Sequence, residues 1–377
     1  MDIDSPLALL GGLTPAQFMR RHWQRKPLLV RGAVPGLRPV TDRAGLFALA
    51  ASDAVESRLV QQSGGAWRMR RGPFPRRALP PLSRPGWTLL VQGVDLQLDA
   101  AHALLGQFRF VPEARLDDLM VSFATDGGGV GPHFDSYDVF LLQAHGRRRW
   151  RYGRQDDLAL QPGLPLKVLA RFEPEEEHVL EPGDMLYLPP RYAHDGVAVG
   201  ECQTYSIGFR APSQAELARE LLQRVADRAE EEAQEQAPAL YRDRGAQAES
   251  RPGAVPPALQ QFARDAVARA LRDPQALAQA LGEYLSEPKP NVWFDPGAAR
   301  PPRRGMALDR RTRMLYDERH VYVNGESWRA AGADARLMQR LADERRLDAA
   351  ALARASAAAL ELLASWCEAG WAREEEA

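Results

Sequence analysis

Cysteine is nearly absent from this chain of 377 residues, which holds only Cys202 and Cys367. Two cysteines so far apart, in no pair spacing, exclude a disulfide scaffold, a zinc knuckle and a dithiol redox motif, and fit a reducing, cytoplasmic compartment. Net charge is also missing: 49 basic residues stand against 50 acidic ones. The molecule as a whole therefore has no field to attract nucleic acid or an anionic membrane. Lysine occurs only at Lys26, Lys167 and Lys289, so arginine carries the positive charge. No apolar run approaches the length of a membrane span, and the N-terminus opens on Asp2 and Asp4 instead of a basic leader, so neither membrane insertion nor export is expected. There is no Gly-Xaa-Ser-Xaa-Gly nucleophile motif. The glycine run Gly127–Gly131 is followed by neither a Lys-Ser/Thr pair nor a helix, which argues against a phosphate loop and for close backbone approach.

At 45% apolar residues, the chain can build two or three cores. In TPAQFMRRH, Thr14 as cap and Pro15 at the first helical position start a helix, and PLLV makes a short strand. From residue 87, short β-rich runs separated by Gly and Pro turns follow one another: WTLLVQGVDL, LDDLMVSFAT, YDVFLLQAHG, RRRWRYG, HVLEPGDMLYLPP and GVAVGECQTYSIGF, with one helical piece, DAAHALLGQF. This spacing predicts an antiparallel barrel or jelly roll over residues 1–213. After Pro212 the composition shifts to helix formers, predicting an all-α module over 214–286. Its first helix carries the stripe Leu217, Leu221, Leu222 and Val225, which suits packing inside one chain or a subunit interface. Residues 287–377 mix strands (RMLYDERHVYV, ESW) with helices (ADARLMQRLADE, AAALELLASWCEAG), which fits a winged-helix-like α+β domain. The tail Glu374–Glu376 reads as solvated.

The chemistry concentrates in GGGVGPHFDSYDVFLLQAHGRRRWRYG. His133 and Asp135 sit two residues apart at the start of a strand, where side chains at i and i+2 share a face, and His194 follows 61 residues after His133 beyond a proline-marked turn. Two histidines and one carboxylate on one side of a divalent metal suit a non-haem Fe(II) oxygenase. Read singly, each has a plainer alternative: His133 hydrogen-bonded at a strand end, Asp135 capping a turn, His194 a surface histidine. In RRRWRYG, taken as a strand returning from the turn AHG, alternation puts Arg148, Trp150 and Tyr152 on one face and Arg147, Arg149 and Arg151 on the other. A buried Arg148 needs a carboxylate, which a small diacid ligand can supply if the fold does not. The other three read as an exposed strand edge. His145 is placed in the hairpin turn, and His178, after EEE, on the surface.

Together, GGGVGPHFDSYDVFLLQAHGRRRWRYG, EPGDMLYLPPRYAHDG, CQTYSIGFRAPS and WQRKPLLVRGAVPG resemble the bacterial ribosomal oxygenases of the JmjC type, the arginine hydroxylases of ribosomal protein L sixteen, and the resemblance extends over essentially the whole chain. It implies a double-stranded β-helix of the cupin/JmjC type, a helical dimerisation module and a C-terminal winged-helix domain. It also implies Fe(II)- and 2-oxoglutarate-dependent hydroxylation of one arginine, at its β-carbon, with O2 as the other cosubstrate. Residue by residue, His133, Asp135 and His194 match the iron ligands, and Arg148 matches the partner of the distal 2-oxoglutarate carboxylate. An arginine entering the barrel mouth needs hydrogen-bonding or acidic neighbours. Asp118, Tyr137 and Ser206 are placed to reach it, with Asp118 as a strand-turn cap the alternative. The iron site alone leaves open a histidine or a small molecule as substrate. A non-enzymatic metal-binding regulator with a DNA-binding C-terminal domain is opposed by charge, since from Glu287 to the end fifteen basic residues meet fifteen acidic ones.

Overall fold

The computed structural model describes residues 2–235, 239–244, 246–248 and 250–375. The expectation for the acidic tail therefore falls partly outside the described residues, at Glu376, as does that for the helical module at residues 236–238, 245 and 249. The chain divides into two compact units, Met1–Ala211 and Pro212–Ala377.

In the first unit, helix α1 (Pro15–Arg21) begins as the sequence predicts. Thr14 Oγ1 accepts from the Gln17 amide at 3.1 Å, and Gln17 Oε1 accepts from the Thr14 amide at 3.2 Å. Strand β1 (Leu28–Val30) and helix α2 (Arg43–Ala50, capped by Asp42) follow. Next come strands β2 (Ser57–Ser63), β3 (Ala66–Arg71) and β4 (Trp87–Val91), helix α3 (Asp99–Gly106), and strands β5 (Leu116–Ala124), β6 (His133–Phe134), β7 (Val139–Gly153), β8 (Glu176–Leu180), β9 (Met185–Leu188) and β10 (Ala193–Phe209). The ten strands pair antiparallel throughout, in the order β1-β9-β7-β10-β5-β4-β2-β3, with β6 joined to β10 and β8 to β7. Because β7 and β10 are long, each pairs with different neighbours along its length: β9 takes Val139–Leu142 of β7, and β8 takes Arg148–Tyr152. The sheet thereby wraps into a double-stranded β-helix. One face buries Phe18, Leu46, Phe123, Phe140, Tyr205 and Ile207 against the N-terminal helices, while the inner face packs Leu141, Trp150, Tyr152, Leu180 and Leu186. Alternation along the strands sorts the two cores.

Two elements differ from the sequence reading. AHG is not a hairpin turn: β7 runs through it, with Gly146 at φ +62°, a conformation that favours glycine, and His145 exposed on the strand. β2, β3 and α2 were not anticipated, because SRLVQQS and AWRMRR alternate too weakly to read as strands.

The second unit holds α4 (Gln214–Glu235), α5 (Pro257–Ala270) and α6 (Pro274–Ser286), then β11 (Gly305–Leu308), β12 (Met314–Tyr316), β13 (His320–Val323), β14 (Glu326–Arg329), α7 (Gly332–Glu344), β15 (Arg346–Asp348), α8 (Ala349–Leu352), α9 (Ala357–Glu368) and β16 (Ala372–Glu374). Two three-stranded sheets, β15-β11-β16 and β12-β13-β14, share a core of Met306, Val323, Met338, Leu341, Leu363 and Trp366. Helix α6 packs on α4, where Arg228 pairs with Glu283 at 3.1 Å and Tyr284 donates to Glu216 at 2.6 Å. In the stripe of α4, Val225 is buried, Leu217 and Leu221 are half-buried, and Leu222 is exposed. No helix among the described residues is long and apolar enough to cross a membrane.

Candidate functional site

Three strands bring the chemistry together at one end of the barrel. β6 is a two-residue bridge laid antiparallel on the start of β10, so that His133 stands directly opposite His194. The chain then bends at Ser136 and Tyr137 before β7, and Asp135 leaves β6 at the bend instead of continuing along a strand. Donor atoms of His133, Asp135 and His194 all lie within 4.8 Å of one another. His194 Nε2 is 3.6 Å from Asp135 Oδ2, and the two imidazole centroids are 4.2 Å apart.

The tautomers follow from the backbone. His133 Nδ1 faces the Gly131 carbonyl at 2.9 Å, and His194 Nδ1 faces the Tyr192 carbonyl at 2.9 Å. Each Nδ1 therefore holds the proton, and each Nε2 presents a lone pair toward the common point. Burial, reinforced by the neighbouring His133, pushes the His194 pKa down to about 4, with Asp135 opposing, so that at neutral pH this imidazole is in its ligating form. Had these been a strand-end histidine, a turn cap and a surface histidine, nothing would make the three converge. The glycines permit the closeness: a Cβ on Gly129 would meet the Gly196 carbonyl at 2.7 Å.

Arg148 lies further along β7, opposite Ala198 of β10, and is buried as the alternation predicts. Its Nη1 donates to Ser122 Oγ at 2.9 Å and to Thr204 Oγ1 at 3.4 Å, its Nη2 donates to the Gly196 carbonyl at 3.2 Å, and its Nε has no partner among the described residues. The guanidinium sits 5.3 Å from the ring centre of Trp150, which also stands beside His194. Among the described residues no carboxylate pairs with it: the neighbouring Asp195 is held by Arg151 at 2.6 Å. Burial accordingly pulls the Arg148 pKa below its ordinary value, with Cys202 and Asp195 opposing. An unpaired guanidinium in a dry site costs several kcal/mol, a cost that an anionic ligand reverses. Gly196, whose carbonyl it touches, is two residues from His194, about 7 Å along a strand. This arrangement of charges suits a small diacid with one end at Arg148 and the other at the His-Asp-His cluster. Ser122, Thr204 and Gln143, which accepts from Thr204 at 2.8 Å, complete the cradle. Sequence reasoning passed over them, although Ser122 and Thr204 face each other across β5 and β10.

Arg147 and Arg149 are exposed as expected, but not on a sheet edge: Arg149 has Val179 of β8 on one side and Val197 of β10 on the other. Arg151 is half-buried on Asp195, and His178 is half-buried, hydrogen-bonded to Glu176 at 3.0 Å. Asp118, on β5, is buried, and its Oδ2 accepts from the Gly93 amide at 2.9 Å and from Gln92 Nε2 at 3.3 Å, so it does cap a turn. It also borders Tyr137. Although 40% of Tyr137 is exposed, partial withdrawal of its hydroxyl from water, then the charges of Asp135, Asp118 and Asp117 and a hydrogen bond to Asp135, raise the phenol's pKa above its ordinary value, so Tyr137 stays a donor. Ser206 lies on β10 opposite Met120 and Leu141, half-buried on the face that carries Thr204.

Comparison with known proteins agrees with this geometry. Residues 103–217 match the JmjC domain family, and residues 269–373 match the ROXA-like winged helix. The ribosomal protein uL16 3-hydroxylase of Escherichia coli is 37% identical over 274 residues, covering 72% of this chain and 70% of that protein. A probable ribosomal oxygenase of Haemophilus influenzae is 36% identical over 209 residues, covering 54% of this chain and 52% of that protein. The X-ray structure of E. coli YcfD superimposes with a TM-score of 0.81 at 31% identity, covering 96% of this chain and 98% of that one. A structure of YcfD in complex with cobalt and 2-oxoglutarate superimposes with a TM-score of 0.78 at 31% identity, over 96% and 98% of the two chains. By sequence, fold and domain content, the chain belongs to the JmjC-type bacterial ribosomal oxygenases.

Proposed function

We propose that this protein is an Fe(II)- and 2-oxoglutarate-dependent oxygenase that hydroxylates an arginine of the large-subunit ribosomal protein uL16 at its β-carbon. The observation that carries the reading is the buried Arg148, without a carboxylate partner among the described residues, one short span from three converging metal-type donors. His133, Asp135 and His194 would hold the metal on one side, and Arg148 would receive the distal carboxylate of 2-oxoglutarate. Bound there, Fe(II) with 2-oxoglutarate and O2 supplies the oxidant that inserts one oxygen atom into a C–H bond, while the cosubstrate leaves as succinate and CO2. The protein's own residues orient and enclose. Gly131 and Tyr192 fix both imidazole tautomers, Ser122 and Thr204 aim the guanidinium, and Trp150 packs beside both the guanidinium and the His194 ring.

For the substrate side chain, we assign Asp118, Tyr137 and Ser206. The acidic surroundings of Tyr137 favour a cation over a neutral histidine or small molecule. We further propose three parts, 1–213, 214–286 and 287–377, with homodimerisation through the helical part, no role on DNA and a cytoplasmic setting; two buried free cysteines favour the last, and the division of the chain into two compact units near residue 212 favours the first boundary. Asp118→Asn keeps an oxygen for the Gly93 amide while removing the charge. It should leave uncoupled 2-oxoglutarate decarboxylation intact and lower uL16 hydroxylation about 100-fold, near the 3 kcal/mol expected for a lost buried charge pair. Equal loss of both activities would assign Asp118 to the fold alone.

A further inference from the structure

The strands that sequence reading missed carry a feature that the oxygenase site does not use. From Ser57 to Val94 the chain has seven arginines and no acidic residue, where the overall density of 50 in 377 would place about five. Arg58 faces Gln92 and Glu56. The other six, Arg68, Arg70, Arg71, Arg76, Arg77 and Arg84, are exposed, and none has a carboxylate within ion-pair distance among the described residues. In a chain of net charge −1 this is a local concentration of unneutralised positive charge. Arg70 is further held 5.4 Å over the Phe74 ring and Arg76 5.3 Å over the Phe47 ring, so these guanidinium planes are placed before any ligand arrives.

Position gives the patch its meaning. β3 is the terminal strand of the large sheet, paired only with β2. Its Trp67 lies against Gly131, whose carbonyl orients His133. The basic wing thus flanks the metal-site mouth. A cationic ribosomal polypeptide would be repelled by it. Acidic residues that suit such a polypeptide sit on the far side, where Glu176 of β8 pairs with Tyr152, itself opposite His194, and Glu175 and Glu177 are exposed beside it. Screening limits the wing to contacts within about 8 Å at physiological salt, so its partner must bring dense negative charge to the surface itself.

We propose that the β2–β3 edge and the following loop to Gly86 form an RNA-docking surface that grips the phosphate backbone accompanying the ribosomal substrate. The identity of the RNA rests on the ribosomal-protein reading, whereas binding itself does not depend on turnover. Arginine forks paired to phosphates supply affinity without sequence readout.

The test is fluorescence anisotropy of the full chain with a labelled RNA stem-loop, across a salt series. Wild type should bind, and Arg68→Glu/Arg71→Glu/Arg77→Glu should weaken binding more than about tenfold and reduce the slope of log K against log salt by about 2 to 3. Hydroxylation of an isolated uL16 peptide by the triple variant should be unchanged, which separates this surface from the active site. The same three positions changed to Gln provide a milder variant should charge reversal impair folding. Absence of RNA binding in wild type, unaltered binding in the variants, or equal displacement by polyglutamate at matched charge would each overturn the proposal. If wild type fails to hydroxylate uL16 yet binds RNA in this way, the fault lies with the catalytic reading.

Discussion

Arg148 has opposite consequences with and without cosubstrate. Alone, it is a buried cation held, among the described residues, by neutral acceptors, so replacing it with a neutral side chain of similar length removes a desolvation cost. Arg148→Met should therefore raise the melting temperature of the metal-free, ligand-free protein. The same change should weaken 2-oxoglutarate binding by more than about 100-fold, since breaking a buried charge pair costs roughly 3 to 5 kcal/mol. A variant that loses both stability and affinity would mean that Arg148 serves the fold. His194 gives the second expectation at this scale. Its pKa falls from 6.5 unfolded to about 4 folded because burial disfavours the cation. Above pH 6.5 both states are neutral and the stability is whole; as pH falls toward 4 the unfolded imidazole takes the proton first, and stability is lost. The full loss is about 3 kcal/mol, and denaturant titrations of the metal-free protein between pH 7 and 4 should show that part of it vanish in His194→Gln. An identical pH profile in both proteins would contradict the burial argument.

Among the elements, the sequence made strand parity legible where strands are long. Arg148, Trp150 and Tyr152 fall on the inner face of β7, as period-two alternation requires. What the pattern concealed was connectivity. Gly146 looked like a turn because glycine usually is one, yet β10 runs alongside on both sides of it and keeps β7 whole. The i, i+2 spacing of His133 and Asp135 suggested one continuous strand, but their convergence with His194 comes from a two-residue bridge and a bend. Pairing across 61 residues is invisible to local periodicity. In the helical part, the α4 stripe, which suited packing inside one chain or a subunit interface, is partly used within the chain, on the helix that packs against α6. Helix α5 has no buried residue among the described ones, and Leu259, Phe262 and Val267 are exposed on it. An amphipathic helix of that kind in water is the better place for a second copy. Phe262→Glu with Val267→Glu should convert dimer to monomer in light scattering, with melting behaviour of the catalytic unit unchanged. A wild-type protein already monomeric at micromolar concentration would remove the dimer from the account.

On the scale of the whole molecule, an antiparallel barrel or jelly roll, a helical part and a winged-helix-like part were readable from shifts of composition and turn spacing, while the double-stranded β-helix came only through the family resemblance. The basic wing was not, because an edge strand of arginines has no apolar alternation to announce it. Mass spectrometry of intact and digested uL16, after incubation with the protein, Fe(II), 2-oxoglutarate and O2, asks whether the barrel site acts on one substrate atom. The predicted result is a gain of about 16 Da, one oxygen atom, on the β-carbon of a single arginine, dependent on 2-oxoglutarate and lost in His133→Ala. No gain, a gain on a different residue type, or a gain that persists in His133→Ala would contradict it.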